Sequence, residues 1–184
     1  IEGFGPVRTL HVEALGLPEQ GSLGARLHSA MGLVFSVLGS PEVVYASSIG
    51  PVAGVSRVHA DDSLRDLRGD LSAILRYPDG RAASIVASDQ SPAWDHSALL
   101  LGAEGRLRLD DQSMRWEHLG AEDPDEHTVR WPAGFKGLDA FGLALADAVA
   151  RLLDVHTPAD APVEHESVLA MSQAALLSAR TGQG

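Results

Sequence analysis

The segment between Gly21 and Gly39 is the feature that most constrains what this chain can fold into. Its apolar side chains recur at the spacing of one face of a helix, and they are Leu23, Leu27, Ala30, Met31, Val34, Val37 and Leu38. The pattern begins at Ser22 and meets a stop signal at Gly39-Ser40-Pro41. We therefore predict a long helix that buries one face.

Segments with the pattern of β-strands lie on both sides of this helix. Residues 7–14 alternate polar and apolar side chains, and residues 42–48 form a second candidate strand. Residues 70–88 predict a β-hairpin, because Pro78-Asp79-Gly80 supplies the dihedral angles of a tight turn. Further strands are predicted at 97–101, 106–109, 114–119 and 127–131, as an antiparallel meander.

Two helices are predicted after the strands, over residues 138–152 and 164–179, with a linker at 157–162 between them. One strand, one helix, a run of strands and two helices predict an α+β domain. In this domain helices pack on one face of a mostly antiparallel open sheet. The other face is expected to be uncovered, which indicates a partner.

Composition narrows the classes of protein. A chain of 184 residues that is 45% hydrophobic predicts one globular domain. No apolar run is long enough to cross a bilayer, and the first residues do not have the basic-then-apolar pattern of a signal peptide, so we expect a cytoplasmic protein. A net charge of −11 argues against nucleic acid or anionic membranes as partners. The chain has no cysteine and its eight histidines are scattered, so no metal site is predicted.

Two runs carry a resemblance to a known family: GSLGARLHSAMGLVFSVLG at 21–39 and VLAMSQAALLSARTGQ at 168–183, with strands between them. Together they resemble the C-terminal domain of the Gfo/Idh/MocA oxidoreductases, which are nicotinamide-dependent sugar and polyol dehydrogenases. The resemblance implies the fold of that domain, similar to the one in glyceraldehyde-3-phosphate dehydrogenase. Residues 1–184 are then a single substrate-binding and oligomerisation domain, and the nucleotide-binding domain is not in this chain.

The resemblance also implies what the full-length protein does. It implies hydride transfer between NAD or NADP and a sugar-like or polyol-like substrate, with the cofactor and a catalytic lysine supplied by the other domain. This chain alone is expected to be inactive and to bind no cofactor. The implied partner is a second copy, in a homodimer or higher homo-oligomer that forms through the open sheet face.

In the resembled family, the first helix carries a histidine and an aspartate that reach the substrate hydroxyl and the nicotinamide. Counting back from Leu38-Gly39 places Ser29 at the histidine position and Gly32 at the aspartate position, so both are substituted. His28 lies one residue earlier, which is about 100° of rotation on a helix. It is either a displaced general base or a structural histidine on the helix flank, and we favour the second interpretation.

Five further residues are candidate substrate contacts: Glu13, Arg26, Trp94, Asp95 and His96. An aromatic ring beside a carboxylate and an imidazole suits a sugar. The alternative, which we favour, is a surface hairpin in which Trp94 packs over an edge. Arg26 near a helix start suits an anionic group. Glu13 and His11 share one face of the first predicted strand, and their side chains point either into the substrate cleft or into solvent.

Two functions from different classes remain open at this point. One is a domain of a dehydrogenase, as the resemblance implies. The other is a non-catalytic binding or assembly module that keeps the scaffold, which the substitutions at Ser29 and Gly32 favour. A weaker third possibility is an unrelated α+β ligand-binding domain.

Overall fold

The computed structural model describes residues 4–49, 64–65, 67–111, 113–118, 120, 125–128 and 165–183. Its strands are β1 Val7–Leu15, β2 Val43–Ile49, β3 Asp70–Arg76, β4 Ala82–Ser88, β5 Asp95–Gly102, β6 Gly105–Asp110, β7 Ser113–His118 and β8 Asp125–Thr128. Its helices are α1 Leu23–Leu38 and α2 His165–Thr181, with a 3-10 turn at Pro18–Gln20. The helix predicted over 138–152 and the linker predicted at 157–162 lie outside the described residues. Neither described helix is long and apolar enough to cross a membrane.

The eight strands form one sheet in the order β2-β3-β4-β1-β5-β6-β7-β8. Among these strands the pair β1 and β4 is parallel, and every other neighbouring pair is antiparallel. The predicted α+β fold with a mostly antiparallel sheet is therefore confirmed. The first strand takes a central place, between two meanders that are each consecutive in sequence.

Both described helices lie against one face of this sheet. Helix α1 contacts β1, β3 and β4, and α2 contacts β2 and α1. Alternate residues of each central strand are buried beneath them, including Leu10, Val12, Ala14, Ala83, Ile85 and Ala87. No described helix packs on the opposite face, where Tyr45 and Ile74 are 44% and 55% exposed.

Local chemistry fixes the ends of α1. Ser22 precedes the helix, and its hydroxyl accepts a hydrogen bond of 3.2 Å from the amide of Ala25. Gly39 ends it with a φ of 77°, and its amide donates to the carbonyl of Phe35 at 2.8 Å. Because the apolar residues of α1 recur at helical spacing, the capped helix presents a continuous buried stripe to the sheet.

The predicted hairpin is present as β3 and β4. Gly80 has a φ of 85°, which glycine adopts without a steric penalty, and the amide of Tyr77 donates to the carbonyl of Arg81 at 3.1 Å. The meander from β5 to β8 is present as well, although β8 begins at Asp125, earlier than predicted. These strands bring the end of β6 beside the start of β5, where the candidate site lies.

Candidate functional site

A cavity of about 170 Å³ lies between α1 and the centre of the sheet. It is lined by Val12, Glu13, Ala14, Ser29, Ala30, Leu33, His96, Ser97, Ala98, Leu109, Asp110 and Asp111. Predicted site residues from three elements therefore border one space: Glu13 from β1, Ser29 from α1 and His96 from β5. The cavity is thus bordered by a serine, a histidine and acidic residues, with apolar side chains between them.

Arg26 is a buried cation in the second turn of α1, only 3% exposed. Its Nη1 donates to the carbonyl of Gly21 at 3.2 Å, and its Nη2 donates to the carbonyl of Leu17 at 3.0 Å. A β-carbon on Gly16 would lie 2.3 Å from Nη2, so glycine is needed there for the guanidinium to fit. Burial lowers the pKa of Arg26, and the nearby charge of Asp89 partly offsets that effect. This cation therefore ties the loop from β1 to α1 together.

Trp94 connects this cation to the cavity wall. The guanidinium carbon of Arg26 lies 5.2 Å from the centroid of the indole, within the range of a cation–π interaction. The indole Nε1 donates to Asp111 Oδ2 at 2.7 Å, and the indole lies 4.3 Å from the ring centroid of His96. The structure thus brings together Arg26, Trp94 and His96, three of the predicted contacts.

His96 places its imidazole at the wall of the cavity. Its Nε2 is buried without a hydrogen-bond partner within the described residues. Burial lowers the pKa of His96, as does Arg26, whereas Asp111 and Asp95 act in the opposite direction. With its pKa below the ordinary value, the ring is neutral at pH 7. Buried polar atoms in proteins are hydrogen-bonded as a rule, so the unpartnered Nε2 indicates a hydrogen-bond partner outside the described residues.

The three positions predicted on α1 have different surroundings. The Ser29 side chain is exposed at the edge of the cavity. Gly32 has open space at the position of a β-carbon, with no described atom within 4 Å. The His28 ring stacks against His165 of α2, with centroids 6.4 Å apart and planes inclined by 13°, and it does not line the cavity.

The carboxylate of Glu13 belongs to the open face of the sheet, although the residue also borders the cavity. Its Oε2 accepts from Ser97 Oγ at 3.2 Å, and its Oε1 lies 3.3 Å from His11 Nε2. His11 Nδ1 in turn lies 2.7 Å from Ser84 Oγ. Asp95 is exposed at the start of β5, opposite Leu15 of β1.

Asp110 and Asp111 are cavity residues that sequence reasoning missed. Asp110 ends β6 and Asp111 follows it, and the antiparallel register of β5 and β6 places Asp110 opposite Ser97. Ser113 orients Asp110, because its amide and hydroxyl donate to the two carboxylate oxygens at 2.7 and 2.6 Å. Two adjacent acids at a strand end are also typical of a solvated turn, so the sequence alone does not single them out.

The described residues do not fit the nucleotide part of a nicotinamide cofactor. A strand, a glycine-containing loop and a helix occur in order from β1 to α1, as a phosphate-binding loop requires. Four amides of this loop and one in the first turn of α1 already donate within the protein, namely those of Gly16, Leu17, Gln20, Gly21 and Ala25. The guanidinium of Arg26 also fills the space beside Gly16. We therefore derive no hydride transfer step from this chain alone.

No protein-family model and no curated protein matches this chain, whereas solved structures do. Levoglucosan dehydrogenase in complex with NADH is 14% identical with a TM-score of 0.73, over 98% of this chain and 58% of its own. UDP-N-acetylglucosamine 3-dehydrogenase GnnA from Acidithiobacillus ferrooxidans is 16% identical with a TM-score of 0.66, over 97% and 55%. KijD10, a 3-ketoreductase from Actinomadura kijaniata in complex with NADP, is 18% identical with a TM-score of 0.63, over 99% and 54%. The chain spans little more than half the length of these proteins and shares the fold of that part.

Proposed function

We propose that this chain is the substrate-binding and self-associating domain of an NAD(P)-dependent oxidoreductase that acts on a sugar-like or polyol-like substrate. The observation that carries the proposal is the cavity beside α1, where Ser29, His96 and Asp111 converge. Support comes from the fold, which is shared with dehydrogenases solved with NADH and with L-sorbose or levoglucosan.

The chemistry of the cavity suits a ligand that carries several hydroxyl groups. Carboxylate oxygens accept hydrogen bonds from hydroxyls, and serine and neutral histidine can both donate and accept them. The apolar floor from Val12, Ala14 and Leu33 can lie against the carbon skeleton of such a ligand. A binding site for a sugar ring needs hydrogen-bonding groups and an apolar surface side by side.

The nicotinamide cofactor, in this proposal, is held by a domain outside this chain. The internal use of the loop amides between β1 and α1 supports that division. When bound, the cofactor would supply hydride chemistry, and this chain would bind and orient the substrate. His96 and Ser29 are the residues best placed to do so from β5 and α1.

Self-association is proposed through the sheet face opposite the described helices. Tyr45, Ile74 and Leu101 are exposed large apolar residues on that face. They alternate with polar groups such as the Glu13 carboxylate, a mixture that is common in protein interfaces. Stable interfaces of this kind bury about 1,200 Å² or more in total.

A second candidate is a non-catalytic binding or assembly module on the same scaffold. The surroundings of Ser29 and Gly32 on α1 favour this second candidate. An exposed serine at position 29 and an empty space beside Gly32 offer no proton acceptor there, because a serine hydroxyl without a partnered base stays protonated at neutral pH. His28, the nearest imidazole in sequence, lies against His165 instead.

Calorimetric titration with NAD and NADP, on the full-length gene product and on this chain, tests the proposal. We expect saturable binding to the full-length product and no measurable heat with the chain alone. Micromolar binding of NAD or NADP to the chain alone would contradict the proposal that a domain outside this chain holds the cofactor. Absence of binding to the full-length product would instead support the non-catalytic module.

A further inference from the structure

A line of hydrogen-bonded polar side chains crosses the sheet face opposite the described helices. His11 Nδ1 lies 2.7 Å from Ser84 Oγ on β4, and His11 Nε2 lies 3.3 Å from Glu13 Oε1. Glu13 Oε2 accepts a hydrogen bond of 3.2 Å from Ser97 Oγ on β5. The pairing of β1 with β4 and β5 brings these four side chains together from three strands. We call them the central polar line, which joins one imidazole to one carboxylate.

The central polar line is only half-covered in a single copy of the chain. The side chains of His11 and Glu13 are 35% and 37% exposed, so water still reaches both groups. Strand β1 lies in the middle of the sheet, between β4 and β5. A partner that covers this face therefore covers His11 and Glu13 near the centre of the contact and removes their water.

The occupant to which we commit is a second copy of this chain, because the face is large enough for one. The strands from β2 to β7 lie side by side, about 4.8 Å apart, and each has about four side chains on this face. That gives a footprint of roughly 600–700 Å² on each copy, or about 1,200–1,400 Å² for two. Specific interfaces begin at about this size.

Covering the face changes which charge state of His11 is favoured. A buried carboxylate is costly unless an opposite charge and hydrogen bonds compensate for the lost water. Ser97 gives Glu13 a hydrogen bond but no charge. A neutral imidazole has one N–H group and no charge, whereas a protonated imidazole donates from both nitrogens. Protonated His11 can therefore donate to Glu13 and to Ser84 at once, and it also neutralises the carboxylate.

The other charged groups on this face lie further from His11 than Glu13 does. The side chains of β4 on this face are not titratable, and those of β5 include one acid, at its start. The cation in line with His11 is Arg108, two strands away across Leu99 and so roughly 10 Å distant. A carboxylate at 3.3 Å outweighs a guanidinium at that distance. The outer charged residues are Asp70, Arg76, Asp95, Arg106, Asp110, Arg115 and Glu117.

We propose that self-association through this face takes up one proton per copy at His11, so that the two copies bind more tightly as the pH falls from about 8 to about 6. This inference rests on the proposed self-association and adds its regulation by pH. Because association favours the protonated form, the added affinity is fully present below the ordinary histidine pKa of about 6.5. It is lost as the pH rises above that value.

Sedimentation equilibrium of the 184-residue chain between pH 8.5 and 5.5, in about 0.15 M salt to screen its net charge, tests the inference. We expect the dimer dissociation constant to fall by about 50- to 100-fold over this range. Each of the two histidines contributes close to tenfold, if the opposite charge favours its protonated form by about one pKa unit. Heats of dilution in phosphate and in Tris should differ, because dissociation releases these protons to the buffer.

Three variants identify the group that takes up the proton. His11→Gln keeps hydrogen-bonding groups beside Ser84 and Glu13 but cannot be protonated, so its dissociation constant should change by less than about threefold over the same pH range. His118→Gln is the matched control and should keep the wild-type dependence, because His118 is an exposed histidine whose side chain shares the other sheet face with Trp116. Glu13→Gln removes the carboxylate that favours the protonated imidazole, so the dimer should no longer tighten at low pH.

A wild-type dissociation constant that does not fall towards pH 5.5 would overturn the inference, as would His11→Gln with the wild-type dependence. Ile74→Asp, measured at pH 6, separates this failure from failure of the proposed interface. If Ile74→Asp abolishes association while His11→Gln keeps the wild-type dependence, the interface stands and the proton uptake is wrong. If Ile74→Asp associates as the wild type does, or if the wild type is monomeric throughout, the interface and the inference are both wrong. Cofactor binding by the full-length product tests the oxidoreductase proposal independently of either.

Discussion

Replacing Gly16 with alanine tests whether the buried cation of Arg26 organises the cavity. A β-carbon at Gly16 would lie 2.3 Å from Arg26 Nη2 and 3.0 Å from Cζ. The φ of Gly16 is outside the left-handed region, so backbone strain does not enter. Because unstrained contacts between heavy atoms need about 3.5 Å, the guanidinium must move by roughly 1 Å.

The cost of that movement follows from the hydrogen bonds of the guanidinium. The bond from Nη2 to the carbonyl of Leu17 is 3.0 Å long, and a displacement of this size breaks it. A hydrogen bond from a charged donor contributes about 1.5–3 kcal/mol, and replacing glycine by alanine returns about 0.4–1 kcal/mol through the unfolded chain. We expect the Gly16→Ala free energy of unfolding to fall by about 1–2 kcal/mol.

Urea unfolding followed by circular dichroism measures this loss, which corresponds to a midpoint lower by about 0.5–1 M. Gly32→Ala is the matched control, because a β-carbon there meets no described atom within 4 Å and alanine stabilises a helix interior by up to about 1 kcal/mol. The Trp94 indole N–H resonance should move in Gly16→Ala and stay in place in Gly32→Ala. A Gly16→Ala protein of wild-type stability, or a destabilised one whose Trp94 resonance is unmoved, would refute the reasoning.

Three further predictions concern other parts of the molecule. Burial raises the pKa of Asp89, but hydrogen bonds, foremost from Gln90, outweigh it and leave the pKa below its ordinary value. This carboxylate therefore stabilises the fold above the unfolded pKa of about 3.9, and the stabilisation is lost as the pH falls through the lower folded pKa. Asp89→Asn should accordingly be less stable than wild type at pH 7 in urea unfolding, with a gap that narrows below about pH 4; a gap that does not change with pH would contradict this. Ile74→Asp should abolish self-association in light scattering without destabilising the monomer, since Ile74 is 55% exposed; a wild-type chain that is monomeric at high concentration would argue against the proposed interface. His28→Ala should leave the turnover of the full-length product unchanged, and a loss of about 10² would make His28 a general acid or base.

The elements that sequence predicts well here are those fixed by local chemistry. Helix α1 follows from the spacing of its apolar residues and the glycine that ends it, and the hairpin of β3 and β4 follows from one turn. Local periodicity also explains one part of the site. Successive residues of a strand point to opposite faces, so Asp95 and His96 at the start of β5 are directed apart.

The assembly of the site could not be predicted because it depends on pairings between distant segments. The carboxylate of Asp111 meets the indole of Trp94 only through the register of β5 with β6. The guanidinium of Arg26 reaches that indole only because the loop after β1 folds around it, with Gly16 leaving the space. Neither arrangement leaves a periodic pattern in the sequence.

The central position of β1 has a consequence for the order of folding. The meander β2-β3-β4 and the meander β5 to β8 can each pair between neighbours in sequence, whereas β1 must join both of them. Its cross-strand side-chain bonds span 73 residues, from His11 to Ser84, and 84 residues, from Glu13 to Ser97. Closing loops of that length costs entropy before any contact compensates it. Pairing of the first strand is therefore the step of highest contact order. We expect it to follow the pairing within each meander, even though β1 precedes both meanders in the chain.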